Sequence, residues 1–113
     1  MKKQRVESYG IKFSIIEEGK EAARTYLYVM NNDLHEEPFG LMEDVFVHEE
    51  YRRKGYGEQL VKEIISEAKR IGCYKLICTS SKPWIQEWYK RLGFEERGME
   101  LRIDVHSCVN QGL

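Results

Sequence analysis

Arg52-Arg53-Lys54-Gly55-Tyr56-Gly57 sets three cationic side chains directly before two glycines, where a strand-like run gives way to a helical one. Such a stretch suits an anion whose oxygens come close to backbone N–H groups, and phosphate is the natural candidate. Glycine admits that approach because it has no Cβ and takes φ > 0 easily, and the helix adds partial positive charge at its amino end. The spacing excludes two common phosphate loops. A Walker loop needs Gly-x-x-x-x-Gly-Lys-Ser/Thr, and a Rossmann fingerprint needs a third glycine beyond Gly55 and Gly57. Just upstream lie two adjacent carboxylates, Glu43 and Asp44. In a regular strand they point to opposite faces, so one of them is expected to face a cleft or a partner.

The elements that must position these residues follow from periodicity. Met1 to Gly10 is polar, Ile11 to Ile16 reads as a strand, and Glu17-Glu18-Gly19-Lys20 as a hairpin turn. Ala22 to Met30 is a second strand, with Tyr26, Tyr28 and Met30 on one face and Leu27 and Val29 on the other. Asn31-Asn32-Asp33 and Pro38 interrupt the chain before a third strand, Phe39 to His48. Glu58 to Ile71 places Leu60, Val61, Ile64, Ile65, Ala68 and Ile71 on one helical face, with a Glu58–Lys62 pair and Gly72 as the stop. Tyr74 to Thr79 reads as a short buried strand, and the order strand, helix, strand implies a parallel crossover beside the third strand. Ser80-Ser81-Lys82-Pro83 starts a second helix, which Gly93 ends after about Leu92. Phe94 to Glu96 and Met99 to Val105 predict a closing hairpin through Arg97-Gly98, followed by a loose tail from Ser107 to Leu113.

The composition is that of an ordinary globular protein: 113 residues, 42% hydrophobic and 33% charged, enough for one domain over residues 1–113. A net charge of −1 argues against nucleic acid or an anionic membrane as partner and confines basic character to Arg52–Lys54. No apolar run is long enough to span a membrane, and Met1-Lys2-Lys3-Gln4-Arg5 leads into no signal core, so a cytoplasmic protein is expected. Cys73, Cys78 and Cys108 lack the paired spacing of a zinc site, and no metal is expected.

Arg52, Gly55 and Gly57 match the pattern Arg/Gln-x-x-Gly-x-Gly/Ala after the strand Glu43-Asp44-Val45-Phe46-Val47. This resembles the pyrophosphate loop of the GNAT N-acetyltransferase family, which binds acetyl-coenzyme A. Trp88-Tyr89-Lys90-Arg91-Leu92-Gly93-Phe94 resembles the Phe-Tyr-x-Lys-Leu-Gly-Phe segment that closes the same family's cofactor slot. Gly72-Cys73-Tyr74-Lys75-Leu76-Ile77, with Glu43-Asp44-Val45, is most similar to the glucosamine 6-phosphate N-acetyltransferase branch. The resemblance covers roughly Phe39 to Arg102. It implies an α/β fold, an α+β mixed and mostly antiparallel sheet with two main helices. This is a minimal version, without the usual strand and two helices that line the acceptor pocket. So short a version is expected to leave that pocket open or to complete it with a second subunit, as a homodimer.

The resemblance also implies roles. The third and fourth strands splay, and backbone groups of Val45, Phe46 and Val47 hold the pantetheine arm in the gap as a pseudo-strand. The stretch Arg52, Arg53, Lys54, Gly55, Tyr56, Gly57 and Glu58 receives the pyrophosphate, mainly through its amides. Acyl transfer to an amine needs a neutral nucleophile, a stabilised oxyanion and a protonated leaving thiolate. Glu43 is the first candidate base, directly or through water, and Asp44 the second. Tyr89 is the candidate general acid, since a phenol with a pKa of about 10 stays protonated at neutral pH. Tyr89 also reads as a core aromatic, at helical spacing from Ile85 and Leu92; Trp84 and Trp88 read as packing. Lys82 and Ile85 depart from the family, many members carrying Asn and a small residue there. The implied function is acetyl-coenzyme A dependent acetylation of a primary amine on a small molecule, an amino sugar among the candidates. The alternatives are a peptide or protein amine as acceptor, and a non-catalytic acyl-coenzyme A binding module.

Overall fold

A computed structural model describes residues 1–106. β1 (Tyr9–Glu17) and β2 (Lys20–Met30) form an antiparallel hairpin. Its two turn residues, Glu18 and Gly19, both have positive φ, 53° and 77°, which matches the twist of the flanking strands. β3 (Phe39–Val47) pairs antiparallel with β2. α1 (Tyr56–Ile71) then crosses over to β4 (Leu76–Ile77), which lies parallel to β3, and α2 (Pro83–Arg91) follows. The strand order is β1-β2-β3-β4, so the sheet is mixed and mostly antiparallel, with two main helices, as expected.

The alternation read in β2 is realised. Leu27 and Val29, with Met42 from β3, are buried against Val61 and Ile64 of α1, while the Tyr26 and Tyr28 rings stack on the opposite face at 6.0 Å. Each fully buried aliphatic side chain stabilises the fold by roughly 1.5–3 kcal/mol, so this five-residue cluster is what fixes α1 on the sheet. Phe13, Leu92 and Phe94 pack around it. Thr25 is the one buried polar residue among those described, and its hydroxyl donates to the Glu43 carbonyl at 3.0 Å. Gly72 ends α1 at φ 93°, its N–H shared between the Ala68 and Lys69 carbonyls, and Glu58 and Lys62 pair at 3.4 Å. Among the described residues no helix is long and apolar enough to cross a membrane.

Two expectations are corrected. The strand expected over Tyr74 to Thr79 is reduced to Leu76–Ile77, and Ile77 is exposed rather than buried. Its pairing stops at Leu41–Ile77 because β3 bulges just beyond, and among the described residues β4 has no strand on its other side. The hairpin expected from Phe94–Glu96 and Met99–Val105 is absent: residues 94–106 contain neither strand nor turn, and Met99, Leu101, Ile103 and Val105 face solvent. An isolated hairpin with no layer on its apolar face is marginal in water. The tail expected from Ser107 to Leu113, with Cys108, lies outside the described residues.

Candidate active site

β3 leads through a short helical turn, Glu49–Tyr51, into the basic loop. The three cations of that loop have different fates. The Arg52 Nε–H donates to the Val47 carbonyl at 2.9 Å, closing the loop on the strand that precedes it. Lys54 Nζ pairs with Glu17 Oε1 at 2.9 Å, and the Tyr56 hydroxyl donates to Glu17 Oε2 at 2.6 Å. Those two bonds, Tyr56 first, hold the Glu17 carboxyl below the usual range, and Glu17 in turn raises Lys54 and Tyr56. Among the described residues Arg53, at φ 68°, makes neither ion pair nor side-chain hydrogen bond. Its guanidinium is left to meet a bound anion, as are the remaining N–H groups of Arg52, whereas Lys54 is already paired with Glu17.

Gly55 caps α1 at φ 81°, and among the described residues no side-chain cap bonds the helix's first amides. Those N–H groups are the ones a helix leaves unsatisfied, and a bound anion can accept them. A cavity of about 320 Å³ lies beside them, walled by Val47, Tyr51 and Trp88 as well as the loop. A Cβ on Gly57 would stand 3.5 Å from Trp88 Cη2 and 3.8 Å from Val47 Cγ2. The space between loop and wall is thus available only while residue 57 stays small. Cationic loop, uncapped amides and adjoining cavity fit a pyrophosphate group.

Beyond Leu41–Ile77, among the described residues, β3 has no strand neighbour on its β4 side. The pairing opens with the Gly40 N–H donating to the Lys75 carbonyl at 2.9 Å and runs only to Leu41–Ile77. Val45, Phe46 and Val47 belong to the part of β3 past this point, where an extended ligand could add as a strand. Between the pairs Tyr26–Glu43 and Arg24–Phe46, β3 carries one residue more than β2, and Asp44 has φ 56°. This bulge corrects the expectation of a regular strand with its two carboxylates on opposite faces. Asp44 reaches back to Arg24 Nε at 2.8 Å, and that guanidinium also contacts Glu21 and lies over the Phe46 ring. Asp44 is therefore committed to an ion pair, whereas Glu43, among the described residues, is in none.

Tyr89 and Cys78 lie across the gap. Burial pushes the Tyr89 phenol up to about 12, with smaller contributions from Cys78 and Glu43. Burial likewise pushes the Cys78 thiol up to about 11, with Glu43 contributing. Glu43 acts on both groups, and Cys78 on Tyr89, so the three side chains lie in one neighbourhood. The Tyr89 ring contacts Trp88 and Phe94, with centroids 5.1 and 5.5 Å away, so it is a packing residue as well as a titratable one. Trp88, read from sequence as packing alone, also forms the cavity wall. Lys82 occupies the N-cap of α2 and stacks its ammonium over Trp84 at 6.0 Å. Glu17 and Arg24 carry no motif signal, because the loop and bulge residues they hold lie at least 20 positions away.

Residues 10–96 match the acetyltransferase (GNAT) domain family. A protein of Oryza sativa subsp. japonica, named probable glucosamine 6-phosphate N-acetyltransferase 2, is 38% identical over 66 residues, covering 57% of this chain and 38% of its own. Glucosamine 6-phosphate N-acetyltransferase of Trypanosoma brucei brucei is 35% identical over 66 residues, covering 58% of this chain and 44% of its own. The matched segment thus spans less than half the length of these relatives. The crystal structure of glucosamine-6-phosphate N-acetyltransferase from Arabidopsis thaliana superposes with a TM-score of 0.80 at 25% identity, over 86% of this chain and 67% of that one.

Proposed function

The chain belongs to the GNAT acetyltransferase family, and from that membership we propose that it is an acetyl-coenzyme A dependent N-acetyltransferase acting on a primary amine of a small molecule. An amino sugar is the favoured acceptor, on the strength of what the matched relatives are named for. The observation that carries the reading is the uncapped amino end of α1, framed by Gly55, Gly57 and Trp88, which opens beside the stretch of β3 that β4 leaves unpaired. The thioester, when bound, supplies an activated acetyl group. Arg53 and the amides from Arg53 to Glu58 hold the pyrophosphate, and the Val45–Val47 edge aligns the amide-bearing arm. Trp88 shields the slot from water. Glu43 accepts the amine proton, directly or through water; Asp44 is second choice because Arg24 already holds it. Tyr89 donates a hydrogen bond to the departing sulfur. With a pKa of about 12 it keeps its proton throughout the working range, and complete transfer is less driven than from an ordinary phenol. We place the reaction in the cytoplasm, a reducing setting that suits the free thiols Cys73 and Cys78.

A second reading, an acyl-coenzyme A binding module without turnover, is favoured by one feature. The sheet face bearing Tyr26 and Tyr28, opposite the α1-packed core, is covered by no helix of the described residues, so an acceptor pocket there has only one wall. One experiment separates the readings. Thermal unfolding is followed with and without acetyl-coenzyme A, and thiol release is then measured with a panel of amines that includes glucosamine 6-phosphate. Ligand at about 100 times its dissociation constant stabilises by about 2.7 kcal/mol, a shift of roughly ten degrees for a domain of this size. Stabilisation with amine-dependent release supports the enzyme; stabilisation without release, across the panel, supports the module. No stabilisation at millimolar ligand overturns both.

A further inference from the structure

Glu43 pairs with Tyr26 across the β2–β3 ladder, and Phe46 pairs with Arg24. Tyr26 and Arg24 share the face of β2 turned away from the core, so Glu43 and Phe46 share that face too. Residues three apart cannot do so in a regular strand, where side chains alternate. The extra residue is Asp44, and it changes the parity of everything after it. Without it, Val45 and Val47 would turn outward and the Asp44 carboxylate would turn toward the core. With it, Val45 packs against the core, Val47 lines the cavity beside Gly57, and the Phe46 ring lies under the Arg24 guanidinium at 4.7 Å.

This is the kind of bulge whose first residue is left-handed, a place that glycine normally fills. An aspartate at φ 56° is strained there, so other contacts must hold it. Two consecutive residues of β2 do so from opposite faces. On the core side, the fully buried Thr25 donates to the Glu43 carbonyl at 3.0 Å. On the outer side, Arg24 Nε donates to Asp44 Oδ2 at 2.8 Å. The guanidinium is itself fixed, because Nη1 meets Glu21 Oε2 at 3.2 Å and Glu21 is tied to Lys12 of β1 at 2.6 Å. A chain of charges across three strands thus ends on the residue next to Glu43. We infer that Arg24 is a positioning residue for the proposed acetyl transfer: it holds Asp44 left-handed, and so fixes the backbone that aims Glu43 at the amine. The role rests on the reading of Glu43 as the proton acceptor. Arg24 acts through Asp44 and needs no contact with either reactant. Misplacement of a reacting group by about 1 Å can cost roughly 100-fold in rate.

The test is Arg24→Gln, which shortens the side chain and removes its charge. Arg24 is partly exposed, so the fold survives the change, which a cooperative thermal transition verifies. Backbone chemical shifts of residues 43–47, which report φ and ψ, are read without ligand. Turnover is read with acetyl-coenzyme A and glucosamine 6-phosphate, or with whichever amine of the panel is faster. In the variant the Asp44 shifts should move from left-handed toward extended values, and kcat should fall at least about tenfold. The dissociation constant for acetyl-coenzyme A should stay within about threefold, because Arg53, Gly55 and Gly57 are untouched. Asp44→Gly should make Arg24 dispensable to the bulge, since glycine takes that φ unaided. The Val45 and Val47 shifts of the double variant should then match those of Asp44→Gly alone, and a mismatch overturns the inference. Unchanged kcat in Arg24→Gln overturns it while the proposed activity stands, and so does a slower variant whose shifts are those of the wild type. A wild type that releases thiol with no amine of the panel overturns the proposed activity, and this role with it.

Discussion

The Tyr56 hydroxyl donates a 2.6 Å hydrogen bond to the Glu17 carboxylate, tying the first turn of α1 to the end of the β1–β2 hairpin. The same carboxylate holds Lys54 at 2.9 Å, so both flanks of Gly55 are anchored although Gly55 has no side chain of its own to set φ at 81°. A loop ordered before ligand arrives spares the complex that ordering cost. Glu17→Gln keeps the volume and removes the charge. Affinity for acetyl-coenzyme A should fall roughly three- to tenfold by titration calorimetry, with the entropy of binding becoming less favourable. Unchanged affinity would show that Glu17 does not position the loop.

The same network has a pH signature. Tyr56 and Lys54 depress the Glu17 pKa below its ordinary 4.5, so its stabilising contribution is present above that value and is lost as pH falls through the lower folded one. Lys54 is raised above 10.5 by Glu17, so its share is present below 10.5 and is lost as pH rises through the folded value. Melting temperature measured across pH should therefore fall below about pH 4.5 less steeply in Glu17→Gln than in the wild type. Parallel acid limbs would mean that the carboxylate is not specifically stabilised in the fold.

Local signals in the sequence were sufficient for α1, α2 and the first hairpin. Gly72 and Gly93 stop helices, Pro83 starts one, and Gly19 suits the positive φ of the Glu18-Gly19 turn. The loop Arg52–Gly57 was visible for the same reason: its glycines and its position are local facts. Tertiary relations were not legible. Glu17 lies 39 residues from Tyr56, and nothing in either neighbourhood announces the bond. The bulge at Asp44 hid too, because an aspartate at positive φ carries no turn signature inside an otherwise regular strand. The alternation from Met99 to Val105 names a strand face but no partner, and the structure forms no strand there.

Ile64 sits at the centre of the α1 face, fully buried against Leu27, Val29, Met42 and Val61. Ile64→Ala removes three carbons where neighbours on both layers can close the gap only partly. Unfolding free energy in urea should drop by about 2–5 kcal/mol, a large fraction of the stability of a small domain. Leu34→Ala, at an exposed position, serves as the control and should change stability by less than about 0.5 kcal/mol. A loss below about 1 kcal/mol for Ile64→Ala would contradict the close packing of α1 on the sheet.

Gly57 faces the cavity wall at ordinary contact distance, so a single methyl fits but a branched side chain does not. Gly57→Ala should retain acetyl-coenzyme A binding within about threefold, while Gly57→Val should weaken it by at least about tenfold, or 1.4 kcal/mol. Both variants should keep the wild-type fold, because residue 57 is in the first turn of α1 at ordinary helical φ. Equal affinities for the Gly, Ala and Val forms would place the ligand elsewhere.

Tyr89 combines a core ring with a phenol held protonated up to about pH 12. Tyr89→Phe preserves the contacts with Trp88 and Phe94 and deletes only the hydroxyl. If the hydroxyl serves the departing sulfur, kcat should fall about 100-fold while the dissociation constant for acetyl-coenzyme A stays within about twofold. A stability measurement adds an independent readout. Between the ordinary value of 10 and the folded value of about 12, the unfolded chain loses the Tyr89 proton first, so the native state binds more protons and stability falls as pH rises through that window. Wild type should lose stability more steeply there than Tyr89→Phe, whose residue 89 has no proton to give. Full turnover in the variant would remove Tyr89 from the chemistry, and matching alkaline limbs would remove its buried phenol from the energetics.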